Sequence, residues 1–151
     1  MRFIFVDAIS CLRKNRYIRG SKSVSFEEGF ISRPYAKNGF LPRTLLMESI
    51  AQMASWLVIY STDFSFQPVI ATVKQIELSA DVRVGSVIDI ECSVTNWSED
   101  GAVMDCTGSV EGRTVIKVCH SAMFFMPLEQ LQDIDEARAD FAQLARKADI
   151  S

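Results

Sequence analysis

Alternating hydrophobic and polar residues, together with runs of β-branched and aromatic residues, predict six strands in this chain. Two of them come before residue 27 and four come after residue 68. Turn sequences such as Glu99-Asp100-Gly101 separate the last four. The predicted strands cover residues 3–11, 17–26, 69–78, 87–97, 102–110 and 114–126.

A strongly apolar segment from Arg43 to about residue 60 predicts a helix that is buried on most sides. Pro42 suits the first turn of such a helix. Polar side chains form one narrow stripe along it, spaced four, four and three residues apart, at Thr44, Glu48, Gln52 and Ser55. The last 24 residues, from Leu128, predict a second, amphipathic helix.

The order of two strands, one very apolar helix and four strands predicts an α+β fold. An antiparallel sheet wrapped around the central helix would cover that helix on several sides, as its composition requires. The length of 151 residues is enough for one domain with a substantial core.

Charge is distributed unevenly along the chain. Residues 1–43 carry a net charge of +6 and residues 44–151 a net charge of −9, which gives −3 in all. A run between Asp7 and Glu27 contains only basic charges, and it predicts either a surface for an anionic partner or a solvated turn. The acidic remainder argues against a nucleic-acid-binding protein.

The four cysteines are scattered through apolar runs without a C-x-x-C pair, so we expect buried, reduced thiols and no metal site. The first residues lack a secretory signal pattern. The longest apolar stretch, residues 45–60, contains Glu48 and falls short of a membrane span. These features predict a cytoplasmic protein without a transmembrane segment.

Glu48 is the most informative residue for chemistry. It is the only charged residue between Arg43 and Asp63, on a helix that otherwise has the composition of a core. An ionised carboxylate in apolar surroundings is costly unless it is paired, and such a group can exchange protons near neutral pH. The alternative is that Glu48 lies at the mouth of the helix, in reach of water or an arginine.

Three segments resemble FabZ-like β-hydroxyacyl-ACP dehydratases. Residues 40–52, Phe-Leu-Pro-Arg-Thr-Leu-Leu-Met-Glu-Ser-Ile-Ala-Gln, resemble the family's Met-Pro-Gly-Val-Leu-x-x-Glu-Ala-x-Ala-Gln. Residues 3–9 resemble its Phe-Leu-Leu-Val-Asp-Arg-Val, and residues 22–28 resemble its Lys-Asn-Val-Thr-x-Asn-Glu. The resemblance covers residues 2–126, which implies a hot-dog domain over 1–126 and a C-terminal helical extension over 127–151.

The resemblance implies a dimer whose active sites form between subunits, with Glu48 from one subunit and a loop histidine from the other. It also implies that a backbone N–H at the helix start, matched by Arg43, polarises the thioester carbonyl. The substrate would be an acyl group on acyl carrier protein (ACP) or coenzyme A. No resident cofactor is implied, because phosphopantetheine arrives with that substrate.

The chain departs from this family at the loop histidine. The family's His-Phe-Pro-Gly falls on Pro34-Tyr35-Ala36-Lys37. The nearest polar candidates are Tyr35 and Asn38, and neither is a good base. The only histidine, His120, lies on the last predicted strand in phase with the apolar residues Ile116, Val118, Ala122 and Phe124. We therefore expect it to be a core or interface residue on their face of the strand.

Three functions therefore stay open: a dehydratase, a hot-dog thioesterase, and a non-catalytic carrier binder or heterodimer partner of an active dehydratase. The predicted catalytic residue is Glu48, and the predicted substrate-binding residues are Arg43, Asn38, Tyr35 and Gln52. The predicted carrier-binding residues, chosen because carrier proteins are acidic, are Arg13, Lys14, Arg16, Arg33 and Lys37.

Overall fold

The computed structural model describes residues 4–25 and 39–151. Its strands are β1 (Ala8–Arg13), β2 (Tyr17–Ser23), β3 (Phe66–Leu78), β4 (Val87–Trp97), β5 (Gly101–Val110), β6 (Arg113–Pro127) and β7 (Asp149–Ile150). They form one sheet in the order β3-β6-β5-β4-β2-β1-β7. Every neighbouring pair is antiparallel except β1 and β7, which are parallel.

Helix α1 (Arg43–Ser61) packs against one face of this sheet. Its buried side chains include Met53 and Leu57, and the sheet contributes Ile88, Ile90 and Ile116, all of them fully buried. Burying a side chain of this size stabilises a fold by about 1.5–3 kcal/mol, so the contact between helix and sheet is the main source of stability. The predicted fold, an antiparallel sheet around a long apolar helix, is confirmed.

The C-terminal segment differs from the single long helix that the sequence predicted. A 3₁₀ turn (Leu128–Gln130) is followed by the shorter helix α2 (Ile134–Leu144) and by β7. Asp133 sets the start of α2, because its side chain accepts a hydrogen bond of 2.9 Å from the Glu136 N–H. Because β7 pairs with β1, the C-terminal segment adds a strand to the sheet.

Phe141 anchors α2 to α1. Its ring stacks on Tyr60 at 4.9 Å between centroids and also lies 5.9 Å from Trp56 and 5.8 Å from Phe64. Phe141 is 7% exposed. Aromatic packing of this kind fixes the second helix against the first.

A β-bulge interrupts β6. Met104 on β5 pairs with Ser121 and Cys106 pairs with Val118, so two residues of β6, Cys119 and His120, lie opposite the single residue Asp105. One of these, His120, has a φ of 51°, in the left-handed region. The prediction that His120 shares the buried face with Val118 is wrong, since the bulge shifts the alternation and leaves its side chain 58% exposed.

All four cysteines are free. Cys92 and Cys106 lie opposite each other on β4 and β5 and are buried. Burial, with a contribution from the neighbouring Cys106 thiol, raises the pKa of the Cys92 thiol well above its ordinary value. This keeps the Cys92 thiol protonated and unreactive at neutral pH.

Neither helix in the described part of the chain has the length and the apolar composition needed to cross a membrane.

Candidate active site

An apolar cavity of ≈ 320 Å³ lies between α1 and the two strands at the β3 edge of the sheet. The helix contributes residues from Thr44 to Ser55, and β3 and β6 contribute the opposite wall. The lining residues on the strands are Pro68, Ile70, Val73, Ile76, Val118, Ser121 and Met123. A concave apolar site with a few polar groups is typical of a pocket for an apolar ligand.

Glu48 lies on the second turn of α1, at the boundary of two cavities. It lines the apolar cavity and also a more polar one of ≈ 220 Å³, which includes Gln52 and Gln67. Within the single chain its side chain is exposed. The helix is buried on its apolar sides, as predicted, and Glu48 takes the alternative position that the sequence left open, at the mouth of the apolar cavity in reach of water.

Gln52 fixes the direction of the Glu48 carboxylate. The Phe5 N–H donates a hydrogen bond of 2.8 Å to Gln52 Oε1, so the amide oxygen of Gln52 faces Phe5. Gln52 Nε2 donates to Glu48 Oε1 at 3.3 Å, across one turn of the helix. The amide thus holds the carboxylate through one oxygen and leaves the other available.

The first turn of α1 has no side-chain cap. The N–H groups of Leu45 and Leu46 both donate to the Pro42 carbonyl, and the N–H groups before them have no place in the helical hydrogen-bond pattern. Thr44 lines the apolar cavity at this end. Donors of this kind, at the positive end of the helix dipole, stabilise negative charge on a nearby oxygen.

The Arg43 side chain is directed to an ion pair. Its Nε donates to Asp81 Oδ1 at 2.9 Å, and this hydrogen bond raises the pKa of the guanidinium above its ordinary value. Arg43 is exposed and is not among the residues that line the apolar cavity. The predicted role of Arg43 in substrate binding was assigned to its backbone N–H, which lies at the first residue of α1.

The predicted basic surface lies at the other end of α1. The Asn15 N–H, in the turn between β1 and β2, donates to Ser61 Oγ at 2.9 Å. The same turn carries Lys14, 5.6 Å from the centre of the Tyr60 ring, and the adjacent Arg13 pairs with Asp149 at 2.8 Å. A 19-residue helix is about 28 Å long, so Arg13, Lys14 and Arg16 lie far from Arg43.

Several predicted residues cannot be placed in this site. Arg33, Tyr35, Lys37 and Asn38 lie outside the described residues, as does Pro34 at the position of the family's histidine. The described parts of the chain bring together Glu48 and Gln52 from the predicted set, with the helix start that carries Arg43 a turn away.

Sequence reasoning missed Ser121, a buried residue on the sheet side of the cavity. The alternation through residues 116–124 placed it on the outer face, and no glycine marks the bulge that reverses this. Among the residues that the model describes, no cluster of histidine, cysteine or acidic side chains could hold a metal ion.

No protein-family model matches the chain. The chain is 28% identical over 108 residues to the 3-hydroxyacyl-[acyl-carrier-protein] dehydratase FabZ of Levilactobacillus brevis. The aligned segment covers 71% of this chain and 73% of that protein. The chain is also 25% identical over 124 residues to the FabZ of Caldicellulosiruptor saccharolyticus, covering 82% and 86%.

Solved structures show the same fold. A Streptococcus mutans protein bound to acetyl CoA has a TM-score of 0.65 at 16% identity, over 84% of this chain and 94% of that one. A hot-dog-like protein from Thermanaerovibrio acidaminovorans has a TM-score of 0.60 at 17% identity, over 82% and 87%. A hypothetical thioesterase from Streptococcus pneumoniae, solved with coenzyme A, has a TM-score of 0.60 at 18% identity, over 79% and 84%.

The sheet, the central helix and these structural neighbours define a hot-dog fold. In sequence, the chain is similar to FabZ dehydratases.

Proposed function

We propose that this protein binds an acyl thioester on a phosphopantetheine carrier and eliminates water from its 3-hydroxyacyl group. The observation that carries the proposal is the position of Glu48. This carboxylate is held by Gln52 at the mouth of an apolar cavity, one turn from an uncapped helix start. The dehydratase relatives support the choice of reaction.

The proposed active form is a dimer joined along the β3 edge. In the single chain β3 is the last strand of the sheet, and Ile70 and Ile76 are 48% and 43% exposed. An edge strand with unpaired backbone groups and exposed isoleucines is suited to pairing with a second copy. Such a pairing would cover the cavity and remove Glu48 from solvent, as an acid–base group requires.

The proposed chemistry uses one carboxylate for both proton transfers. Glu48 takes the proton from C2 of the thioester, the electron pair forms the C2–C3 double bond, and the C3–O bond breaks. The departing hydroxide takes the proton back from Glu48, so water leaves and the carboxylate is regenerated. The N–H groups at the start of α1 hold the thioester oxygen, where negative charge develops. No resident cofactor is needed.

A thioesterase is the second candidate, because no histidine of this chain reaches the cavity. His120 is exposed beside Asp105, on the outer face of the sheet. With a carboxylate and helix N–H groups alone, Glu48 could instead activate a water for attack on the thioester carbonyl. A hot-dog neighbour described as a hypothetical thioesterase agrees with this candidate in fold.

For the carrier, we propose docking on the basic side chains of Arg13, Lys14 and Arg16, in a cytoplasmic protein. Arg33 and Lys37, outside the described residues, are the other two proposed carrier contacts. Acidic carriers associate with such surfaces through screened electrostatic attraction. Raising the salt concentration from 0.1 to 0.2 M should therefore weaken binding of acyl-ACP. Unchanged binding would remove this surface from the proposal.

The product distinguishes the candidates. Purified protein is incubated with 3-hydroxyacyl-ACP, crotonyl-CoA and saturated acyl-CoA, and the products are separated by mass spectrometry. Loss of water, or hydration of crotonyl-CoA, supports the dehydratase, whereas free thiol without an enoyl product supports the thioesterase. Binding without turnover contradicts catalysis by the homodimer. Activity that appears only when a histidine-containing FabZ is added would identify a heterodimer partner.

A further inference from the structure

One buried serine, Ser121, lies on the sheet side of the cavity. Among the described residues, the buried polar side chains are Lys22, Ser49 and Ser121, and Ser121 is only 3% exposed. The Ser49 hydroxyl donates to the Leu45 carbonyl at 2.9 Å. The Ser121 hydroxyl lines the apolar cavity, and no described residue forms a hydrogen bond with it.

The β-bulge in β6 is what directs Ser121 inward. Val118 faces the cavity, and strict alternation would send residue 121 to the outer face. The bulge adds one residue to β6 opposite Asp105 and so reverses the alternation, and the His120 N–H donates a hydrogen bond of 2.8 Å to Asp105 Oδ1 at the bulge. His120 has a φ of 51°, in the left-handed region, which histidine adopts more readily than β-branched residues do.

The surroundings of Ser121 are apolar. Its partners on the neighbouring strands are Val73 and Met104, and Val118 and Met123 flank it in the cavity wall. The Ser121 oxygen is not among the fully buried, unpartnered polar atoms of the described residues, which agrees with a hydroxyl that opens onto the cavity. An oxygen on an acyl chain bound there would give this hydroxyl a hydrogen-bond partner in otherwise apolar surroundings.

We infer that Ser121 is a specificity-determining residue whose hydroxyl hydrogen-bonds the oxygen on C3 of the acyl chain. This inference rests on the proposed function, in which C3 carries the hydroxyl that leaves. It assigns Ser121 the recognition of 3-hydroxyacyl thioesters against saturated ones and leaves proton transfer to Glu48.

The test compares the binding of 3-hydroxyoctanoyl-CoA and octanoyl-CoA by isothermal titration, in a Glu48→Gln background that prevents turnover. Ser121→Ala should reduce the preference for the hydroxylated thioester about three- to tenfold, the usual effect of losing one neutral hydrogen bond. The Kd of octanoyl-CoA should stay the same. Ser121→Thr, which restores the hydroxyl, should retain the preference, and so should the matched control Ser49→Ala, which lies outside the cavity.

Three outcomes overturn the inference. If Ser121→Ala left the preference for the hydroxylated thioester unchanged, the Ser121 hydroxyl would not recognise the C3 oxygen. The proposed function, which depends on Glu48, would be unaffected. An equal loss of affinity for both thioesters would mean that Ser121 affects only the shape of the cavity and does not distinguish the two ligands. If the parent protein bound neither thioester, the proposed function would be overturned as well. Melting curves should show Ser121→Ala at least as stable as its parent, because an unpaired hydroxyl is removed.

Discussion

Replacing Ile70 and Ile76 with lysine tests whether the β3 edge joins two copies of the chain. In the single chain Ile70 and Ile76 are 48% and 43% exposed, so together they expose nearly the full accessible surface of one isoleucine. Burying one isoleucine contributes about 1.5–3 kcal/mol, and a twofold interface contains every contact twice. The apolar contribution of the pair to dimerisation is therefore roughly 3–5 kcal/mol.

Losing that contribution weakens association by roughly a hundredfold or more, and lysine charges across the twofold axis add repulsion. We expect wild type to sediment as a dimer at ~10 μM and the Ile70→Lys/Ile76→Lys variant to sediment largely as a monomer. Val87→Lys is the matched control, because Val87 is 54% exposed on the interior strand β4. The dimer proposal is refuted if wild type is monomeric throughout, or if the double variant matches wild type in its dissociation constant.

Two further predictions concern stability and titration. Phe141→Ala should lower the free energy of unfolding by about 3–5 kcal/mol in urea titrations, because it removes the aromatic side chain that joins the two helices. The control is Leu131→Ala, at an exposed position. A loss below ~1 kcal/mol for Phe141→Ala, close to that of the control, would mean that Phe141 does not anchor α2. Burial, and then a hydrogen bond to Glu91, raise the pKa of Tyr17 to about 12. The protonated phenol therefore stabilises the folded state fully below pH ~10, the ordinary pKa of tyrosine, and this stabilisation is lost as the pH rises through about 12. Absorbance at 295 nm should show one tyrosine titrating near pH 12 that is absent from Tyr17→Phe, and a difference curve centred near pH 10 would contradict this.

The strands and the central helix could be predicted because their signals are local. Alternation gave β4 at the bounds seen in the structure and the later strands within a residue, because one face of each packs on a core. A lone acid on an apolar helix was enough to select Glu48 as the candidate catalytic residue. The family resemblance placed Gln52 beside it, and the hydrogen bond between the two side chains agrees with a shared role.

The remainder depended on backbone geometry and on assembly. The bulge at His120 uses a residue that gives no turn signal, so alternation alone assigned the wrong face to Ser121. The strand at Asp149–Ile150 is too short to show a period. The sequence left open whether Glu48 is buried or in reach of water, because the pattern of one chain does not show what a second copy covers.

Exchange of the hydrogens on C2 of an acyl thioester tests the role of Glu48 most directly. In D₂O, wild type should incorporate deuterium at C2 of 3-hydroxyoctanoyl-CoA, detected by mass spectrometry, and Glu99→Gln, in an exposed turn, should do the same. Glu48→Gln should lose about 10²- to 10⁴-fold of that rate, the usual contribution of a general base. Exchange by Glu48→Gln at the wild-type rate would contradict the assignment of this carboxylate as the base.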